Sequence, residues 1–252
     1  MNTLQYHYKI IIAYDGTCYQ GWQIQPNGIS IQEVIQNTMN IILKNQVKIR
    51  GSGRTDTGVH AENQVAHFKY SVEINKEKFL YSINALLPSD IRIKSIEETT
   101  EKFHAQHSAT GKTYHYHIHL DRVSNPFKQA YSWHLHYPVD VKLMREATIC
   151  FLGTHDFTSF ANESHKGACA KDPIRTLKRI DIIAQDGGIR IEFEGNGFLY
   201  KMVRNLTGFL VDIGRGRRFK KEIPSLLAAR NRKLASKAAP AAGLFLNTVH
   251  YL

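Results

Sequence analysis

Two hydrophobic rhythms alternate along the chain, one of period two and one near 3.6, and together they lay out its elements. Residues 6–14 are β-branched and aromatic, as a half-buried strand requires, and Asp15-Gly16 stops them. Ser30 opens a helix: Glu33, three residues on, completes a capping box, and Val34, Ile35, Met39 and Ile42 form the apolar stripe. Strands over 46–50 and 64–70 flank a glycine-rich loop. Asn75 caps a second helix with Phe79, Leu80, Ile83 and Leu87 inward and Pro88 closing it, and 91–96 returns as a strand. The same order then repeats with longer loops. A strand over 113–120 precedes a helix capped by Asp140, with Val141, Met144, Ala147 and Phe151 inward. Strands over 179–184 and 189–194 meet at Asp186-Gly187-Gly188, a hairpin-type turn. In the second of them Ile189, Ile191 and Phe193 alternate with Arg190, Glu192 and Glu194, so one face is buried. A helix over 198–213, a shorter basic helix from about Phe219 and a strand over 244–251 complete the series.

Two βαββαβ units in series predict an α+β fold of two ferredoxin-like (RRM-like) halves, residues 1–105 and 106–252, with a mixed, largely antiparallel sheet and helices packed on it. The repeat is one of element order, because the residues of the halves do not align. A chain of 252 residues with 42% hydrophobic and 22% charged residues can bury a full core, which excludes the disordered, fibrous and low-complexity classes. No apolar run approaches the ~20 residues of a membrane span, and the N-terminus has no signal-peptide core, so the expected compartment is the cytoplasm without membrane attachment. Cys18, Cys150 and Cys169 are odd in number and lack a CxxC pair, which fits a reducing compartment and no disulfide framework.

The charge changes the picture. The formal net charge is +11, and an excess of that size draws a protein to polyanions, nucleic acid first among them. Between Arg215 and Lys237 nine basic residues, including Arg215, Arg217, Arg218, Lys220 and Lys221, face Glu222 alone. Such clustering reads either as a solvated helix face or as a patch that contacts phosphates.

The sharpest segment runs from Gly51 to Ala61, Gly-Ser-Gly-Arg-Thr-Asp-Thr-Gly-Val-His-Ala. It lacks the Lys-Ser/Thr of a P-loop, and Asp56 stands where a third glycine of GxGxxG belongs. Glycines let backbone approach a ligand, and Arg54 beside Asp56 offers a donor next to a carboxylate. A polar hairpin loop accounts for the same residues.

Arg54-Thr55-Asp56-x-Gly58-Val59-His60-Ala61 resembles the catalytic loop of the tRNA pseudouridine synthase A (TruA) family. Other stretches are similar to that family in the same order. They are Tyr14-Asp15-Gly16-Thr17, Gly21-Trp22-Gln23, the run from Asn63 to Phe68, Phe103-His104-Ala105 and Lys112-Thr113-Tyr114-x-Tyr116. His155-Asp156-Phe157, Met202-Val203-Arg204-Asn205 and Ala239-Pro240-x-x-Gly243-Leu244 follow. The resemblance implies isomerisation of uridine to pseudouridine in the anticodon stem-loop of tRNA, around positions 38 to 40. It also implies a homodimer with a basic cleft between the halves, and no cofactor or metal.

Under that resemblance Asp56 is the catalytic carboxylate, attacking the sugar as nucleophile or removing a sugar proton. Arg204 is its guanidinium partner, which favours the ionised form. Tyr114 stacks on the uracil and can take the C5 proton, while Arg54 and the basic residues Arg215, Arg217, Arg218, Lys220 and Lys221 hold RNA. The residues alone leave other readings open. Tyr114 on its strand reads as core, Arg204 as a surface arginine, and Trp22 and Trp133 as core. His115-x-His117-x-His119 has a spacing that could bind zinc or nickel, with no Cys or carboxylate evident beside it. A non-catalytic RNA-binding module would share the charge and the fold, but has no need of a glycine-flanked carboxylate that repels phosphate.

Overall fold

The computed structural model of the chain describes residues 5–162 and 172–252; Cys169 and most of the stretch from Asn162 to Asp172 lie outside them. The fold is mixed α+β and largely antiparallel, in two units: Met1–Thr110 with Phe245–Leu252, and Gly111–Leu244.

The first unit has the βαββαβ order read from the pattern: β1 Tyr6–Tyr14, α1 Ile31–Leu43, β2 Arg50–Gly51, β3 His60–Tyr70, α2 Lys76–Leu86 and β4 Ile91–Thr99. β1 lies between β4 and β3, antiparallel to both, and β2 pairs antiparallel with β3, which is the ferredoxin-like arrangement. The last strand of the chain, β10 (Leu244–Tyr251), runs parallel to β3 with Phe245 opposite His60. Alternation puts Tyr8, Ile10 and Ile12 into the core, where Tyr8 stacks on Phe68 at 5.3 Å. Both N-caps form: the Ser30 side chain accepts from Glu33 N–H, which is one half of the expected capping box, and that of Asn75 from Lys78 N–H. The buried face of α1 is centred on Ile31, Ile35, Thr38 and Met39, with Val34 and Ile42 only half-buried.

The expected strand over 46–50 shrinks to Arg50–Gly51. Polar side chains of α1 take its backbone instead. Val47 N–H donates to Asn40 Oδ1 at 2.7 Å and Ile49 N–H to Gln36 Oε1 at 3.0 Å, while Gln32 Nε2 donates to the Ile49 carbonyl at 2.9 Å. Groups already paired with a helix have nothing to offer a sheet neighbour.

The second unit holds β5 Ala109–His119, β6 Trp133–His134, α3 Val141–Thr148, β7 Gly153–Asp156, β8 Ile174–Gln185, β9 Gly188–Gly195, α4 Met202–Gly214 and α5 Ile223–Ala229. Its sheet runs β5-β9-β8-β7, antiparallel throughout, with β6 beside β5. The β8–β9 hairpin turns where Asp186-Gly187-Gly188 places it, with Gly187 at φ +67°. Asp140 caps α3 through Lys142 and Leu143 N–H. α4 starts at Met202 rather than Phe198, because Lys201 takes a left-handed conformation at φ +57° that a helix cannot run through. The basic helix is divided: Ile223–Ala229 forms α5 with Ile223, Leu226 and Leu227 buried, and the charges flank it. The core of this unit includes Phe151, Phe160 and Phe209, edge-to-face at 5.1–6.2 Å, and the fully buried Ile191 and Phe193. No helix among the described residues is long and apolar enough to cross a membrane.

Candidate active site

In the first unit β2 and β3 are joined by residues 52–59, which carry Arg54 and Asp56. A short set of hydrogen bonds underpins the loop: Ser52 N–H donates to the Val65 carbonyl at 2.7 Å, Ser52 Oγ to Gln64 Oε1 at 2.7 Å, and Gln64 Nε2 to the Gly53 carbonyl at 3.0 Å. The segment after β1 supplies the bed. Trp22 N–H donates to the Thr55 carbonyl at 3.1 Å and Gly58 N–H to the Tyr19 carbonyl at 3.3 Å. Gly16 N–H donates to His60 Nδ1 at 3.1 Å. Asp15 Oδ1 lies at the same 3.1 Å from Nδ1.

Two contacts from this bed fix Asp56. Buried Tyr14 shares a 2.8 Å hydrogen bond with the Thr55 hydroxyl, the residue before Asp56. Burial pushes the Tyr14 phenol up to about 12, against the opposing effect of its hydrogen bonds to Thr55 and Gln64, so it stays a neutral hydroxyl. Gly21, at φ +81°, packs its α-carbon against the Thr55 carbonyl oxygen, which any Cβ would strike. Asp56 itself is half-buried and Arg54 is exposed. Trp22 is core, 1% exposed, as its residue type suggested. Tyr14 was readable as the end of a strand and Gly21 as part of a family-like stretch, but nothing in the sequence says that they grip residue 55.

These contacts carry a prediction. Gly21→Ala adds a backbone clash and a left-handed alanine, together about 2–3 kcal/mol. Calorimetry should find Tm lowered by about 5–10 °C; an unchanged Tm would mean the loop yields to the extra methyl.

In the second unit Tyr114 lies on β5, opposite Phe193, and is 8% exposed with its ring edge-on to Phe198 at 5.0 Å. Arg204 is the third residue of α4 and half-buried. Its Nε donates to the Ala239 carbonyl at 2.8 Å, and Ala239 N–H donates back to the Arg204 carbonyl at 2.9 Å. Asp56 and Arg54 thus belong to the first unit, and Tyr114, Arg204 and the basic segment to the second.

The basic segment is less bare than its sequence. Arg218 pairs with Glu222 and Lys220 with Glu146, both at 2.8 Å, and Arg230 with Asp156 at 2.9 Å. The Lys220 ammonium holds the Glu146 carboxyl below its usual range. Arg215 lies over the Tyr137 ring at 3.6 Å. Arg217, Lys221, Lys233 and Lys237 are exposed and have no acidic partner among the described residues.

The three histidines of β5 also differ from the sequence reading. Carboxylates do stand beside them: Glu192 is 3.5 Å from His115 and Asp121 is 3.6 Å from His119. His117 Nδ1 meets Gln185 Oε1 at 2.9 Å. Among the described residues no group of three or more His, Cys, Asp or Glu side chains could hold a metal ion.

A family model described as tRNA pseudouridine synthase matches residues 10–108 and 147–252. The chain is 55% identical over 245 residues to a protein of Protochlamydia amoebophila named tRNA pseudouridine synthase A 1, covering 97% of this chain and 96% of that one. It is 42% identical over 251 residues to tRNA pseudouridine synthase A of Limosilactobacillus reuteri, with 98% and 97% coverage. A third relative, of the same name and from Ruminiclostridium cellulolyticum, is 42% identical over 244 residues, covering 96% of this chain and 98% of its own.

Proposed function

The chain belongs to the tRNA pseudouridine synthase A family, and from that premise we propose that it isomerises uridine to pseudouridine in the anticodon stem-loop of tRNA, around positions 38 to 40. The N1–C1′ bond breaks, the uracil turns in place and a C5–C1′ bond forms. The hydrogen lost from C5 is balanced by one gained at N1. Nothing is oxidised overall, so the chemistry calls for no cofactor.

The observation that carries this reading is the held loop. Asp56 follows a residue gripped on both sides, by the Tyr14 hydroxyl and the Gly21–Trp22 backbone. A carboxylate that must meet a sugar carbon in one orientation needs such a mount. We assign Asp56 to the sugar, Arg204 to keeping that carboxylate charged, Tyr114 to the uracil face, and Arg54 to the flipped nucleotide or its phosphate. Arg204 is anchored for that part by Ala239. The reading extends to a homodimer in the cytoplasm, where tRNA is matured; light scattering of the purified protein tests the dimer. The decisive assay follows hydrogen release from C5 of uridine-labelled tRNA. Release that depends on Asp56 supports the reading, and its absence with intact tRNA rejects it.

Ion pairing refines the place where RNA is held. Replacing Arg217, Lys221, Lys233 and Lys237 by Gln should flatten the log–log salt dependence of tRNA binding by about 0.7–0.9 for each phosphate no longer neutralised. Replacing Arg218 and Lys220, whose charges Glu222 and Glu146 already meet, should flatten it less. Titrations at three salt concentrations separate the sets; a slope unchanged by either replacement would make these charges mere solubilisers.

A further inference from the structure

Two residues of the family-like stretches, Tyr116 of the Lys112–Tyr116 run and Pro240 of the Ala239–Leu244 run, have no part in the chemistry above. The second unit brings them together. Tyr116 is fully buried, and its hydroxyl donates to the Pro240 carbonyl at 2.8 Å. The preceding carbonyl, that of Ala239, receives Arg204 Nε at 2.8 Å, while Ala239 N–H returns a bond to the Arg204 carbonyl. Two glycines let the strap lie this close. A Cβ at Gly208 of α4 would strike the Lys237 carbonyl oxygen, and one at Gly243 would meet the Tyr116 ring at 2.8 Å and the His117 carbonyl oxygen at 2.7 Å.

A guanidinium is oriented by its Nε–H only as well as the accepting carbonyl is itself fixed. The bond from Tyr116 to the next carbonyl along the strap supplies that fixity. Burial pushes the Tyr116 phenol well above its ordinary value, opposed by the nearby Arg204 charge, so the hydroxyl remains a donor throughout the working range.

We propose that Tyr116 is a positioning residue for the reaction, acting through the Ala239-Pro240 strap on the guanidinium of Arg204. The proposal rests on the reading of Arg204 given above. Tyr116 touches no reacting atom in it; its effect is on the orientation of the arginine, and so on rate rather than on tRNA affinity.

The test is a double-mutant cycle on the full chain with kcat and KM for tRNA as readouts. Tyr116→Phe keeps the ring and removes only the donor. It should lower kcat about tenfold, the effect of one well-made hydrogen bond, with KM unchanged. In an Arg204→Lys background the same change should cost less than about twofold, because lysine has no Nε–H for the strap to orient. Hydrogen exchange at Arg204 Nε–H should be slow in the wild type and faster in Tyr116→Phe. Measured in the cold, it reads the anchor even where Tyr116→Phe lowers Tm. Full kcat in Tyr116→Phe, equal losses in both backgrounds, or unchanged Nε–H exchange would overturn the proposal and leave the part of Arg204 standing. An Arg204→Lys enzyme with wild-type kcat would instead remove the reading of Arg204, and this proposal with it.

Discussion

Asp56→Asn is expected to lower turnover at saturating tRNA by at least about 10³-fold, some 4 kcal/mol of barrier, while tRNA affinity stays within a few-fold. Asparagine is nearly the same shape, so the grip of Tyr14 and of the Gly21–Trp22 backbone on Thr55 has no reason to change. What disappears is the negative charge that, in the proposed role, either attacks the sugar or removes its proton. In the same reading affinity rests elsewhere, on basic and aromatic side chains, and a carboxylate adds nothing to the holding of phosphates. Single-turnover rates and filter binding on the same preparation check both halves. Retained turnover would end the assignment of Asp56, and a large loss of affinity would recast it as a structural residue of the loop.

Arg204→Ala should cost about 10²-fold or more in kcat with a much smaller change in KM, and Arg204→Lys should recover little of it. An ammonium offers one point of charge where a guanidinium offers a planar fork, and it has no Nε–H for the Ala239 carbonyl that anchors this side chain at 2.8 Å. Alanine also leaves that carbonyl without its donor, so Tm belongs beside the kinetics: a loss of kcat far beyond the loss of folded enzyme supports the assignment. Equal defects in affinity and rate would mark Arg204 as a phosphate contact.

Much of the molecule was legible because its signals are local. β1, both capped helices of the first unit, the Asp186-Gly187-Gly188 hairpin and the final strand follow from periodicity, Ser, Asn and Asp caps and glycine turns, each of which acts within a few residues. The loop that bears Asp56 was legible too, since a carboxylate among glycines between two strands is more than a turn requires, and the ordered family-like stretches tied it to the family. Arg204 was visible only through that resemblance, because a lone arginine near the start of a helix looks like any other.

What the sequence by itself determined, then, is the order of elements in the first unit, the loop that bears Asp56 and the excess of positive charge. The tertiary structure decided the rest, wherever a group finds its partner far along the chain. Residues 46–49 gave up their strand to Asn40, Gln36 and Gln32, and a β-propensity pattern holds no record of side chains reaching over from a helix. Lys220 is taken by Glu146, 74 residues away, so a charge count could not say which cations remain for phosphate. β10 found β3 as a parallel neighbour, a pairing with no turn between the strands to announce it. Tyr14 and Tyr116 are core aromatics by burial. Their hydroxyls hold Thr55 and Pro240, because a buried polar atom must find a partner and only the folded chain determines which.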